Sequence, residues 1–423
     1  MANQRSRLIA ATIEVVAKQG YDGMTVSSVA KLAGVSKASF YEQFGGKEEC
    51  FATACDFSLR EAAAAVLRGE GKGGEGRERL RAGLMGLADL IIDQPDAAKL
   101  VLIDSMASTP TIRMHVCRRF GLLETLLRER LALAGERSKA LTTGIVRGIE
   151  HHVRRAVGSD RPEMLRELVD PLLDWGLGFD CEEVSQAFAT PCREVNRQAR
   201  RVTAAKTTSD TRGLLVAAAL RLAAEEGYGA LSPTRIRRTA GVSRHSFDAN
   251  FDDAAGCYLA AVDTELGRVF SEALRAAPAE ADWAERTYAL LDRLATLLAA
   301  DPKLARLAFV EIVEAAPESV PWRERLITQW AESIYRGTPV DSSPSFAIAE
   351  ATVAAIWGFL SDLTMTQRLH LLPNQVQRLS LFALTPALGA IGAAELIRTM
   401  RKEETRRVGR RSYERFLLST SAT

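Results

Sequence analysis

The chain has 423 residues, 47% of them hydrophobic, which is enough to fill the cores of roughly two to four domains and excludes a polar, unfolded chain. Its 55 Lys and Arg against 53 Asp and Glu leave a formal net charge of +2, so the chain is no polycation and any nucleic-acid surface must be local. Leu and Ala are abundant and Pro is held to 14, a balance that predicts an all-α protein.

The N-terminus opens on polar residues and lacks the charged-then-apolar plan of a secretory signal, consistent with a cytoplasmic protein. Leu8, Ala11, Thr12 and Val15 keep the i, i+3, i+4, i+7 spacing of one buried helix face, and Gly20 marks the stop. Thr25 is placed to cap a second helix with Val29, Ala30 and Ala33 inward. Gly34 then supplies the positive φ of a tight turn, Val35 fills the angle between helices, and Ser36 caps a third helix that turns Phe40 inward and ends near Phe44. Two short helices at this spacing form a helix-turn-helix, whose second helix is narrow enough to enter the major groove. Its outward positions are Lys37, Ala38, Ser39 and Tyr41. Lys37 suits guanine acceptors or a phosphate, Ser39 either partner, and the Tyr41 hydroxyl a phosphate oxygen. Lys47 begins the next helix, where free amides and the helix dipole also favour a phosphate.

A loop follows from Gly69 to Gly76; its Gly71-Lys72 lacks the Ser or Thr and the preceding strand of a phosphate loop, so it reads as a linker. Amphipathic segments come next over Glu78–Asp93, Ala97–Ser108, Thr111–Leu133, Ser138–Val157 and Pro162–Gly178. Thr190 to Asp210 is polar and basic, the composition of a connection between halves.

Beyond it the sequence repeats. A shift of 207 residues places Arg5 on Arg212, Gly20 on Gly227, Ala33-Gly34-Val35-Ser36 on Ala240-Gly241-Val242-Ser243, Phe44 on Phe251 and Cys50 on Cys257. Without a gap, Pro95 meets Pro302 and Pro110 meets Pro317; past Val157 the register drifts, and Pro171 meets Pro386 only with eight extra residues in the second copy. Helical segments are expected over Trp283–Ala300, Leu304–Ala315, Pro321–Tyr335, Ser345–Leu371 and Asn374–Met400, followed by an Arg-rich stretch from Arg398 read as a solvated tail.

The second helix-turn-helix departs from the first. Ser232 caps and Pro233 starts its first helix, and Ser243 and Ser246 match Ser36 and Ser39. Asp248 stands where the first copy has Tyr41, and Ala254 where it has Lys47. Arg235, Arg237, Arg238, Arg244 and His245 are gained, so that Ser232 to Phe251 carries +3 against +1 for Thr25 to Phe44. Either this motif reads a different half-site or it is kept for packing; the basic residues on the groove-entering helices favour the former.

The run Thr-Val-x-x-Val-Ala-x-x-Ala-Gly-Val-Ser-Lys-x-Ser-Phe-Tyr-x-x-Phe-x-x-Lys-Glu, from Thr25 to Glu48, resembles the DNA-binding signature of the tetracycline-repressor (TetR) family. The resemblance is strong over residues 5 to 60 and rests on helix number and order thereafter. It implies a three-helix DNA-binding domain, a larger helical domain that binds a small molecule, dimerisation through the last two long helices, and repression of transcription by default. On this basis the chain divides into a first DNA-binding domain at 1–65, its effector and dimerisation domain at 75–190, a linker at 191–210, a second DNA-binding-like domain at 211–272, a second helical domain at 282–400 and a basic tail at 401–423. The expected partners are a double-stranded DNA operator and a small-molecule effector. Fusion holds the two dimerisation surfaces at an effective concentration of order millimolar, which favours an intrachain pseudo-dimer on an asymmetric operator, with a homodimer of fused chains as the competing assembly. Candidate pocket residues are Met106, Met114 and Phe120 in the first half and Phe309, Trp330 and Tyr335 in the second, each of which also fits plain core.

Nothing in the sequence carries the pattern of a catalytic, metal or cofactor site: H-E-x-x-H, G-x-S-x-G, Walker A and dinucleotide glycine motifs are absent. His151 and His152 are adjacent and point about 100° apart on a helix, ill-suited to one metal and better read as surface or packing residues. The six cysteines show no C-x-x-C spacing and read as small reduced core residues. The longest nearly uncharged run, Leu379 to Ala394, is shorter than a membrane span, so no membrane partner is expected.

Overall fold

The computed structural model describes residues 2–72, 74–130, 136–179, 184, 210–278, 280–315 and 318–420, and among them the regular structure is helical, with no strand. The chain opens with α1 (Ala2–Gly23), kinked at Gly20, followed by α2 (Val26–Ala33), α3 (Lys37–Gln43) and α4 (Lys47–Glu70). The larger bundle of this half comprises α5 (Arg77–Asp93), α6 (Pro95–Lys99), α7 (Pro110–Arg130), α8 (Glu136–Gly158) and α9 (Met164–Leu177). Two expected segments are broken: over Ala97–Ser108, α6 runs into a π-helical turn at Leu100–Asp104, closed by a bond from the Ser105 amide to the Leu100 carbonyl at 2.9 Å, and over Leu304–Ala315 the α-helix ends at Phe309 and a 3-10 turn spans Glu311–Ala315. The expected linker at 191–210 lies outside the described residues except for Asp210, whose side chain caps the next helix.

The second half contains α10 (Thr211–Glu226), α11 (Pro233–Ala240), α12 (Arg244–Asp248), α13 (Ala254–Leu274), α14 (Trp283–Ala300), α15 (Pro302–Phe309), α16 (Ser319–Tyr335), α17 (Phe346–Met365) and α18 (Val376–Thr420). Helix α18, kinked at Gly389, continues through the basic stretch from Arg401 to Thr420, where Arg, Lys and Glu are good helix formers. The 207-residue register holds in the element starts, since α4 and α13 begin at Lys47 and Ala254, and α6 and α15 at Pro95 and Pro302.

The apolar periodicity explains the packing. Leu8, Val15, Val29, Phe40, Phe44 and Phe51 close a core among the first four helices, and Leu215, Ile236, Phe247 and Phe251 do so for α10 to α13. A third core is continuous across the halves, joining Leu141, Ile145, Leu172 and Trp175 of α8 and α9 to residues of α17 and α18. Here α8 crosses α17 closely: a Cβ at Gly148 would lie 2.8 Å from the Ala351 carbonyl oxygen, and one at Gly358 2.5 Å from Arg147 Cγ. Trp175 Nε1 donates to Thr352 Oγ1 at 3.2 Å, and Phe179 packs on Phe382 with ring centroids 5.3 Å apart.

Among the described residues, two helical stretches are long and apolar enough to cross a membrane, Phe346–Met365 and Leu369–Lys402. The first is 78% buried between α8 and its neighbours, so its hydropathy is that of a bundle-core helix.

His151 and His152 are packing residues of this contact, both buried. His152 Nε2 lies 2.7 Å from the Ala347 carbonyl oxygen, whereas neither His151 ring nitrogen has a hydrogen-bond partner. A Glu350 oxygen and the two imidazoles lie within 4.8 Å of one another, but the Glu350 carboxylate is engaged by Arg155 and by Thr328 Oγ1. Burial, followed by the His152, Arg323, Arg155 and Arg154 charges, holds the His151 pKa well below its ordinary 6.5, and burial also lowers that of His152. These groups therefore stay neutral in the folded chain at a pH where the unfolded chain protonates them. Stability should fall as pH drops below 6.5. Denaturant midpoints at pH 7.5 and 5.5 check this, and His151→Gln should flatten the change; an equal loss in that variant would assign it to other groups.

Candidate nucleic-acid interface and ligand cavity

The geometry of the first motif follows from its caps. The Ser28 amide donates to Thr25 Oγ1 at 3.1 Å while the Thr25 amide donates to Ser28 Oγ at 3.1 Å, a reciprocal box that starts α2. Gly34 takes φ 64°, ψ 39°, the left-handed turn in which other residues are strained, and Ser36 accepts from the Ser39 amide at 3.0 Å to start α3. Phe40 is fully buried and fixes the roll of α3. Lys37, Ala38 and Tyr41 are thereby exposed, Tyr41 by 58%, with Lys37 and Tyr41 one turn apart on the same face.

Two expected contacts are placed otherwise. Ser39 is half-buried, its hydroxyl 3.0 Å from that of Ser36, so it belongs to the cap. Lys47 turns back: its ammonium donates to the Tyr21 and Met24 carbonyls at 3.3 and 3.4 Å and sits 4.4 Å from the Tyr21 ring centroid. These carbonyls of the α1–α2 junction hold it there, so Lys47 braces the motif. Gly46 provides no side-chain cap for α4, which leaves first-turn amides for a phosphate.

A residue missed in the motif is Arg5. Its guanidinium donates to the Gln43 carbonyl at 2.7 Å and lies 4.3 Å from the Phe44 ring centroid, pinning the end of α3. Arg212 repeats the arrangement, donating to the Asn250 carbonyl at 3.2 Å over Phe251. The coincidence of both arginines under the 207-residue shift was the available signal.

The second motif has the same caps, Ser232 accepting from Arg235 N and Ser243 from Ser246 N, with Gly241 at φ 70°. Its exposed chemistry is thinner than the charge count implied. Arg235 is tied back, donating to Glu226 at 2.6 Å and to the Ala230 carbonyl at 3.1 Å. Arg237 is half-buried, at the position of the buried Ala30. Ser246 is half-buried with its hydroxyl against Ser243. Arg244 and His245 are exposed, but Arg244 pairs with Asp248 at 3.4 Å, and α12 spans five residues where α3 spans seven.

The first half encloses a cavity of about 160 Å³ between α4, α5, α6, α7 and α8, walled by apolar side chains such as Leu59, Leu84, Leu87, Ala98, Val101 and Val146. Its ionisable lining side chains are the carboxylates Glu61, Glu70 and Glu150. The expected pocket residues do not form it. Met106 and Met114 are absent from its wall, Met114 being 55% exposed, and the Phe120 side chain lies outside the described residues. Phe309, Trp330 and Tyr335 are buried core: Trp330 stacks on Phe270 at 4.5 Å, Phe309 meets Trp357 at 4.8 Å, and Tyr335 donates to the Ala383 carbonyl at 2.8 Å. They fill space instead of lining it.

Residues 8–54 match the family of bacterial regulatory proteins of the tetR type, so the first three helices and the start of α4 are a DNA-binding domain of that kind. No curated protein matches the chain. Among solved structures it is similar to the fatty acid degradation regulator FadR from Bacillus halodurans, at 20% identity and TM-score 0.36 over 41% of this chain and 97% of that one. FadR from Bacillus subtilis in complex with stearoyl-CoA gives 18% identity and TM-score 0.36 over 41% and 97%. PfmR, a TetR family regulator from Thermus thermophilus, gives 23% and 0.34 over 40% and 95%.

Proposed function

We propose that this chain is a sequence-specific transcriptional regulator of the cytoplasm, a repressor released by a small apolar effector, in which two tandem units pair within one polypeptide. The observation that carries the reading is the exposed face of α3, where Lys37, Ala38 and Tyr41 project from a helix fixed from behind by Phe40 and Arg5. Such a helix presents a cation and a hydroxyl to base edges and phosphates. Helix α4 links this head to the effector site: it begins at Lys47 beside the motif, and its far end, from Phe57 to Glu70, forms part of the cavity wall. A ligand that shifts α4 changes the pose of α3, and any such coupling acts equally from DNA to ligand.

The close crossing of α8 and α17 supports an intrachain pseudo-dimer, and the unequal reading helices imply an asymmetric operator. A sedimentation mass of twice the chain would replace that assembly with a homodimer of fused chains.

Selection of duplexes from a random pool, followed by quantitative mobility shift, tests the regulator reading; failure to enrich any sequence would refute it. On a selected duplex, Arg238→Ala with Arg244→Ala should weaken binding and reduce the salt slope by about one for each phosphate that the variant no longer neutralises. An unchanged affinity and slope would leave the second motif a packing unit.

A further inference from the structure

Two residues of the first-half cavity wall have aromatic counterparts 207 positions on, in a buried cluster of the second half. Glu150 corresponds to Trp357 and Leu102 to Phe309. In both pairs the second-half residue is the larger, whereas Val66, Leu80 and Leu126 of the wall have the smaller counterparts Ala273, Thr287 and Ser333. These two aromatics join Trp330 and Phe270 in one cluster: Trp357 meets Phe309 edge-on at 4.8 Å and Trp330 at a tilt at 6.0 Å, and Trp330 stacks on Phe270 at 4.5 Å. Burial follows the same division. Leu59, Leu84 and Leu87 are half-buried around the cavity, whereas their counterparts Leu266, Leu291 and Leu294 are 0%, 0% and 3% exposed.

From the Trp-centred aromatic cluster that stands where the first half has a carboxylate and a leucine, and from the tighter burial around it, we propose that the chain binds one uncharged apolar ligand, in the first half alone. The second half is then a ligand-independent partner, closed by an aromatic plug centred on Trp357. An apolar cavity of roughly 150 Å³ stays dry and takes a small aromatic molecule, and the first-half cavity is of that size. Among the described residues no Lys, Arg or His lines its wall, and Glu61 and Glu70 do, which disfavours burying an anionic group there. The inference rests on reading the halves as equivalent units and the cavity as the effector site.

Equilibrium dialysis of the full chain against naphthalene tests it, with 1-naphthoate as the charged comparator. The expected result is one equivalent of naphthalene per chain and at least tenfold weaker binding of 1-naphthoate. Leu87→Trp, which fills the first-half cavity, should abolish binding, and Ala98→Phe provides a smaller intrusion should the first variant fail to fold. Two equivalents per chain, binding that persists in both variants, equal binding of the naphthoate, or no binding at all would overturn the proposal. A chain that binds one naphthalene but whose DNA affinity no cavity ligand alters would refute the effector reading and leave the single-site inference standing. Two equivalents with ligand-released DNA would do the reverse.

Discussion

Replacing Lys37 and Tyr41 together by Ala is expected to cost about 2–4 kcal/mol of operator affinity, roughly 30- to 1000-fold, with no loss of fold. Both side chains are exposed, so their removal leaves the core around Phe40 and Phe44 intact. The two changes should separate. If Tyr41 meets a phosphate, Tyr41→Phe weakens all sequences alike, because the backbone carries no base identity. If Lys37 meets a guanine, Lys37→Ala relaxes preference at one base pair; if it meets a phosphate, the salt slope falls by about one. Mobility shifts at several salt concentrations distinguish these outcomes. Affinity unchanged in the double variant would remove α3 from the interface.

The second large effect lies in the bundle. Glu150 is buried on α8, accepting from Arg147 at 2.6 Å and from Arg154. Burial alone would raise its pKa, but the Arg147, Arg154 and Arg323 charges outweigh it and hold the carboxyl well below the usual range. Glu150→Ala strands these guanidiniums, of which Arg154 and Arg323 already have an unpartnered Nε. Removing one partner of a buried pair costs about 3–5 kcal/mol, whereas replacing both by apolar groups is often nearly neutral. Denaturant melts should therefore show a large loss for Glu150→Ala and only partial recovery when Arg154→Met is combined with Glu150→Met, because Arg147 and Arg323 remain without the carboxylate. An Ala variant as stable as the parent would mean that solvent already reaches the cluster.

The helix-turn-helix was legible because each of its positions is set locally: a hydroxyl at each cap, a glycine at positive φ and apolar residues at helical spacing. The roles of Lys47 and Arg235 were not, since a long cation binds whichever carbonyl or carboxylate the neighbouring turn presents, and the Tyr21–Met24 junction and Glu226 are specified elsewhere in the chain. The cavity escaped for a different reason. Met114 and Trp330 drew attention as large apolar residues, yet a cavity arises where side chains are small, as at Ala62 and Ala98. Leu102 against Phe309 and Glu150 against Trp357 carried that signal, and reading it required comparing the copies as volumes instead of as motifs.

The account depends on α3 entering the major groove. Guanine N7 lies in that groove, so protection of N7 from dimethyl sulfate on a selected duplex reports the contact directly. The expected pattern is strong protection at one cluster of guanines, lost in the Lys37→Ala, Tyr41→Ala double variant. Tight binding that leaves every N7 as reactive as in free DNA would contradict it.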